Sequence, residues 1–207
     1  SGADNVETLY EGKAGINLSL LNRLLFSIRK GSYRLLISNN IDSNSKILFN
    51  RNIMQRVFEI TPFMYFDPDA YVVVNQNDGK LYWIIEGFTV SDRYPYSQPT
   101  DQFIDGMRVN YIRNSVKVVI DAYDGSIDFY VVDENDPIIK TYDKIFKDLL
   151  KPIDEMPEGI RSHIRYSQAY FDIQSEMYRL YHIENPTVFF GREDYWDLAN
   201  EKYMSYG

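Results

Sequence analysis

The sequence predicts an α+β fold, an antiparallel sheet of two hairpins packed against flanking helices. Three observations carry this expectation. Apolar runs flank Asn77-Asp78-Gly79, and further runs flank Asp124-Gly125, so each set reads as strand, turn, strand. Helical periodicity lies before the first set and after the second, which separates helices from strands instead of alternating them as in a doubly wound parallel sheet. No linker-like stretch divides the 207 residues, so a single domain is expected across 1–207.

Taken in order, Ile16, Leu20, Leu24 and Ile28 recur every four residues beside Leu21 and Leu25, predicting a core helix over Leu18–Lys30 ahead of a membrane-surface one, since only Arg23, Arg29 and Lys30 are basic. Asn17 is its expected cap and Gly31 its stop. Leu35-Leu36-Ile37 is ambiguous. A second helix follows Asn50, with Ile53, Val57 and Ile60 inward and Pro62 ending it. Ala70–Val74 reads as a buried strand, and Leu81–Glu86 alternates as its hairpin partner. Ser91–Arg108 is the longest irregular stretch, and long loops in compact domains are disproportionately functional. Val116–Ala122 and Ile127–Val132 form the second hairpin. Asp136-Pro137 supplies cap and first position of a helix with Ile138, Tyr142, Ile145 and Leu149 along one stripe. Pro157–Arg165 reads as a helical turn. Ser167 opens a longer helix with Tyr170, Ile173, Met177 and Tyr181 on one face, and Phe189–Trp196 packs back as a short helix or loop.

Composition narrows the function. A hydrophobic share of 44% supports a buried core. The net charge of −8 argues against nucleic acid as the main partner and, short of a local basic patch, against unaided docking on an anionic membrane. With no cysteine there is no disulfide framework, thiolate nucleophile or Cys-ligated metal. The longest run without Asp, Glu, Lys or Arg, Ala14–Asn22, is nine residues, against roughly 20 needed for a membrane span. The leading Ser1-Gly2 in place of an initiator Met reads as a cloning remnant, so the chain is expected to be a piece of a larger protein. Eighteen tyrosines against two tryptophans suit half-buried sheet faces, interfaces or carbohydrate platforms.

Signatures of catalysis are missing: no phosphate-cradling glycine loop, nucleophile elbow or zinc-binding helix occurs, and His163 and His182 sit on separate elements. No cofactor and no metal is expected. Asp67 and Asp69 around Pro68 read as turn residues. The densest recognition-type cluster is Ser91-Asp92-Arg93-Tyr94-Pro95-Tyr96-Ser97, echoed by Asn110-Tyr111-Ile112-Arg113-Asn114-Ser115. Tyr and Arg offer stacking planes and forked donors, so Asp92, Arg93, Tyr94, Tyr96 and Arg113 are the candidate binding residues. Arg93 and Arg113 are expected to be held by carboxylates or carbonyls and to shape the Ser91–Arg108 loop. A two-residue turn at Asp124-Gly125 would set Asp121 against Asp128, and such facing carboxylates need a cation. Arg108 or Arg113 is the expected one, with calcium the weaker reading because it wants six to eight oxygen ligands.

These segments also carry a resemblance. Arg51-Asn52-Ile53-Met54-Gln55-Arg56-Val57 with Pro62-Phe63, Leu81-Tyr82-Trp83-Ile84, the two polar-aromatic strings and Val116-Lys117 resemble the uncharacterised bacterial protein family 0182. So do Asp121-Ala122-Tyr123, Phe129-Tyr130-Val131-Val132-Asp133, Asp136-Pro137-Ile138, His163-Ile164-Arg165-Tyr166, Met177-Tyr178, Tyr181-His182 and Arg192-Glu193-Asp194 before Trp196. The likeness runs from about Thr8 to Trp196, departing at Ala70, at Gly87-Phe88 and at Ser167. It implies large multi-pass membrane proteins with a big extracytoplasmic region, and no activity to carry over. The expectation is therefore a soluble, non-enzymatic extracytoplasmic binding or assembly domain of a cell-membrane protein, with an envelope polymer or another protein as partner. The rivals are a carboxylate-based enzyme on envelope polymers and a calcium-stabilised module.

Overall fold

The computed structural model describes residues 10–42, 44–101, 104, 106–194 and 196–199; Ser1-Gly2 and, within the Ser91–Arg108 loop, residues 102, 103 and 105 lie outside these. The elements in order are β1 (Ile16–Asn17), α1 (Leu20–Lys30), α2 (Arg34–Ile37), β2 (Lys46–Ile47), α3 (Ile53–Ile60), β3 (Tyr65–Phe66), β4 (Tyr71–Asn75) and β5 (Lys80–Ser91). There follow β6 (Tyr111–Asp121), β7 (Ile127–Val131), α4 (Pro137–Ile145), β8 (Leu150–Pro152), a 3₁₀ turn, α5 (Glu158–Arg161), α6 (Gln168–Tyr181) and α7 (Pro186–Gly191).

The α+β class stands, but the sheet of two antiparallel hairpins is corrected. A six-stranded mixed sheet runs β3-β5-β6-β7-β8, with β4 also on β5, and β1 and β2 make a separate two-stranded sheet. Two physical facts account for the difference. The strands β5 and β6 are 12 and 11 residues long, so they pair with each other and merge the hairpins. The chain then leaves β7, crosses through α4, and returns as β8 parallel to β7. A parallel neighbour requires such a crossover, and three residues ending in Pro carry no periodic signal. β4 pairs with β5 alone, so the expected buried strand is an edge whose Val72 and Val74 face outward.

The second hairpin also corrects its register. Ile120 faces Ile127 and Val119 faces Asp128, while the Asp121 N–H donates to the Ser126 carbonyl. The turn therefore occupies Ala122–Gly125, and Asp121 and Asp128 do not face one another. Oδ1 of Asp121 instead accepts from the N–H groups of Tyr123 at 2.7 Å and Asp124 at 3.0 Å. Lys80 lies 3.8 Å from Asp121, and Lys151 on β8 bonds Asp128 at 2.7 Å. These lysines, not Arg108 or Arg113, stand beside the two acids, and the calcium reading loses the facing pair that motivated it.

Each face of the sheet is covered. Ile85, Val116, Val118, Ile120 and Phe129 pack with Val57 of α3 and Ile139 of α4. On the other face Ile84, Val119 and Tyr130 meet Met156 and Ile160. Into that second face is set a cross-strand ion pair, Glu86 opposite Lys117, with both side chains buried and in direct contact. Asn114 Nδ2 donates to the same carboxylate at 2.7 Å. α6 adds a third cluster through Ile173, with Ile104 and Val109.

Helix boundaries follow local chemistry. Asp136 accepts from the Ile138 N–H and Pro137 takes the first position of α4, while Ile139 rather than Ile138 is its deeply buried residue. Asn52 caps α3, whose Ile60 is exposed rather than inward. Ser19, not Asn17, caps α1, and Gly31 ends it in the left-handed conformation. The core-helix expectation for α1 is corrected, because Leu20, Leu21, Leu24, Leu25 and Ile28 all face outward.

Burial predicts opposite outcomes for two alanine substitutions of similar chemistry. Ile85→Ala should lower unfolding free energy by about 2–5 kcal/mol, since it hollows a site with no exposed surface. Leu20→Ala should change it by less than about 0.5 kcal/mol, as expected for an exposed position. Urea denaturation of both variants checks the pair; a large loss for Leu20→Ala would mean that α1 is packed by its leucines after all.

Candidate functional site

The loop after β5 is held in shape by the first residues leading into β6. Asn110 Oδ1 accepts the Tyr94 N–H at 2.9 Å, and its Nδ2 donates to the carbonyls of Tyr94 at 2.7 Å and Ser97 at 3.2 Å. Arg108 donates to the Thr100 carbonyl and to Asp101. Tyr94 is thereby laid beside Tyr111, ring centroids 5.2 Å apart and nearly parallel.

Tyr111 leads to the most heavily bonded carboxylate among the described residues. Asp136 is fully buried and accepts from the hydroxyls of Tyr111 at 2.7 Å, Thr89 and Ser115, and from the Ile138 N–H at 2.9 Å. Burial alone would raise its pKa. The Ser115, Thr89, Tyr111 and Ile138 donors outweigh that and hold the carboxyl below the usual aspartate range. Tyr111 is driven the other way, by its own burial and by donating to this anion.

Beside this node opens a cleft of about 790 Å³, whose wall includes Tyr94, Tyr111, Arg113, Arg165, Tyr166 and Tyr170. Arg113 donates to Asp133 at 2.8 Å, with the two side chains 40% and 32% exposed. Arg165 donates to Asp69 at 2.8 Å and lies over the Tyr71 ring at 4.0 Å. Tyr71, near Glu86, is pushed up to about 12 by burial and then by that negative charge. Tyr166, just before α6, and Tyr170 in its first turn stack with centroids 5.9 Å apart. Lys117 and Asn114 also line the cleft, and the buried Oδ1 of Asn114 accepts no hydrogen bond among the described residues. A second hollow of about 370 Å³ shares Tyr111, Asn110 and Tyr170 with the first and follows α6 to Met177 and Tyr181. Together they form one groove, which offers guanidinium donors and ring edges.

Of the five residues singled out in the sequence, the structure brings Tyr94 and Arg113 to this groove. Asp92, Arg93 and Tyr96 do not line it. Arg93, expected to be held, is corrected: its side chain is 89% exposed and its ion-pair contact is the adjacent Asp92 at 3.7 Å. Tyr96 is wholly exposed at a positive φ of 59°. Sequence reasoning missed Arg165, Tyr166 and Asp133, and placed Tyr170 only on one face of its helix with Ile173, Met177 and Tyr181. Asp67 and Asp69 form the expected turn, with the Asp69 N–H on Asp67 Oδ1, and the Ser167 hydroxyl ties Asp67 to the start of α6. Among the described residues no group of three or more His, Asp or Glu side chains could hold a metal ion.

Comparison with known proteins places the chain. A family model described as Uncharacterised protein family (UPF0182) matches residues 1–206, and the chain belongs to that family. A UPF0182 protein of Alkaliphilus metalliredigens is 56% identical over 200 residues, covering 97% of this chain and 21% of that protein. One from Methanospirillum hungatei is 48% identical across 98% of this chain and 22% of its own length. Another from Pelotomaculum thermopropionicum is 46% identical across 99% and 22%. The chain thus spans about a fifth of the length of the curated relatives it matches. No solved structure matches it.

The depressed pKa of Asp136 makes stability pH-dependent in a definite direction. Its contribution is present above the ordinary aspartate value of 3.8 and is lost as pH falls through the lower value of the folded state. Unfolding free energy measured down an acid series should show this loss, and Asp136→Asn should remove that part of the slope; an unchanged slope would remove Asp136 from this role. Arg113→Ala should cost only about 0–1 kcal/mol, because its pair with Asp133 is half exposed. A thermal melt shifted well beyond that would reveal a role in packing.

Proposed function

We propose that this chain is a non-enzymatic extracytoplasmic binding or assembly domain of an integral membrane protein, and that it binds through the groove along α6. One observation carries the reading: the guanidiniums of Arg113 and Arg165, each paired with one aspartate and still partly exposed, stand at a wall of four tyrosines. Guanidinium forks take carboxylates and phosphates, and tyrosine rings offer flat apolar surface with a polar tip. The ligand that fits is an extended envelope polymer bearing acidic groups, ahead of an acidic segment of another protein.

The rival, an enzyme on the same polymers, needs a carboxyl held protonated near neutral pH beside one held ionised. Asp136, the most enclosed carboxyl beside the groove, is shifted in the opposite direction. Glu86 is bonded to Lys117 and Asp133 to Arg113. These commitments favour binding over acid–base chemistry. The membrane setting rests on the family resemblance. Among the described residues no helix is long and apolar enough to cross a membrane, so anchorage would come from elsewhere in a longer parent protein. A span of about a fifth of its relatives suits one working part of such a protein.

Calorimetric titration with soluble polyuronate and poly(glycerol phosphate) fragments, with neutral oligosaccharides as controls, tests this. Binding should favour the acidic fragments and weaken with salt. Arg165→Ala should reduce it by about tenfold, the equivalent of one charge-assisted contact, and Tyr166→Ala should weaken it too, both without loss of fold. Equal affinity in wild type and Arg165→Ala, or no uptake of any fragment, would sink the assignment of the groove.

A further inference from the structure

We propose that α1 is a membrane-docking surface, its outward leucine stripe seated in the interface of an anionic lipid bilayer with basic side chains against the headgroups. This concerns a different face from the groove and does not depend on the reading given for it.

A helix that serves a core turns its apolar stripe inward, and α1 does the reverse. Leu20, Leu21, Leu24, Leu25 and Ile28 are between 45% and 79% exposed. Spaced three and four residues apart, they make one continuous stripe. The polar side is the side that is locked. Arg23 donates from Nε to the Leu35 carbonyl and from Nη2 to the Ser38 carbonyl, each at 2.9 Å, and the buried Ser27 hydroxyl donates back to the Arg23 carbonyl. Leu18 and Phe26 are the inward apolar anchors of this segment. Rolling the helix to bury its leucines would break both Arg23 bonds, so the outward stripe is an orientation that the fold enforces.

Charge says what covers it. Residues 12–58 hold eight Lys or Arg against a single acid, Asp42, in a chain whose net charge is −8. The total, which by itself disfavours an anionic membrane, conceals a basic stretch between Glu11 and Glu59. In it Arg23, Lys46 and Arg56 are bonded to carbonyls, and Arg29 and Lys30 at the end of α1 are exposed. α1 contains no acid and ends on the exposed Arg29 and Lys30. An apolar stripe of leucines with basic flanks is what an interfacial helix needs, and it asks for no directional partner. A second copy of this chain on a two-fold axis would bring this basic stretch against its own like, which works against self-association. Nucleic acid would satisfy the charges and leave the leucines wet.

The test is co-sedimentation of the full chain with vesicles of equimolar phosphatidylcholine and phosphatidylglycerol, against vesicles of phosphatidylcholine alone. Binding should occur with the anionic vesicles and weaken with salt. Leu24→Asp should reduce it by at least about tenfold, and Arg29→Ala with Lys30→Ala by about thirtyfold, at the strength expected of two basic residues near such a surface. Both variants alter exposed side chains, so circular dichroism and the melt should match the parent, and each serves as the test if the other fails to fold. Absence of vesicle binding, binding indifferent to lipid charge, or a concentration-dependent dimer abolished by Leu24→Asp would each overturn the proposal.

Discussion

Asp136 is the constraint on which this end of the molecule depends. Its single carboxylate caps α4, takes hydroxyl donors from Thr89 on β5 and from Ser115 and Tyr111 on β6, and is closed off from water. A buried carboxylate without partners would be costly, so the side chain is tolerable only when those donors are all in place. The reverse also holds. The crossover that returns the chain as β8, the seating of α4 on the sheet and the placement of Tyr111 at the groove are tied together through these bonds, because the donors come from β5, β6 and α4.

The same logic of paired polar groups runs along the second face of the sheet. Glu86 and Lys117 lie opposite one another in register, and Tyr71 and Asn114 close on the same carboxylate. Such a pair adds less to stability than apolar residues of equal volume would, but removing either partner strands a buried charge. A slip of one residue in β6 would turn Lys117 away from Glu86 and onto the face packed by Val57 and Ile139, so the pair favours the observed β5–β6 register. Above this pair the groove keeps its two exposed-edge guanidiniums, each held by an aspartate from another element: Asp133 for Arg113 and Asp69 for Arg165. Positioned in advance by the fold, these side chains lose less freedom on meeting a ligand.

Much of the fold was legible along the chain. The hairpin turn at Asn77-Asp78-Gly79, the Asp136-Pro137 helix start and the helix after Ser167 all rest on contacts within a few residues. What went unread depends on distant pairing. β8 has no period of its own and exists because β7 offers an edge. The hairpin after β6 keeps its Asp-Gly pair but spreads over four residues, because the Asp121 carboxylate captures the two following N–H groups. Of the site, Tyr94 and Arg113 were within reach since recognition-type residues cluster in their strings, whereas Arg165 and Tyr166 lie far along the chain and come to the groove only through the fold.

By itself the sequence determined the α+β class, the family, the order of the helices and the absence of cysteine chemistry. These follow from composition, from short-range periodicity and from caps and turns, whose physics is complete within one turn of helix or one hairpin. Only the tertiary structure decided that the sheet is mixed, that Arg113 and Arg165 share a groove, and that the leucines of α1 face outward. The last case states the reason most clearly. Periodicity defines which residues share a face, but which way that face turns is set by bonds from elsewhere, here those of Arg23 to the carbonyls of Leu35 and Ser38.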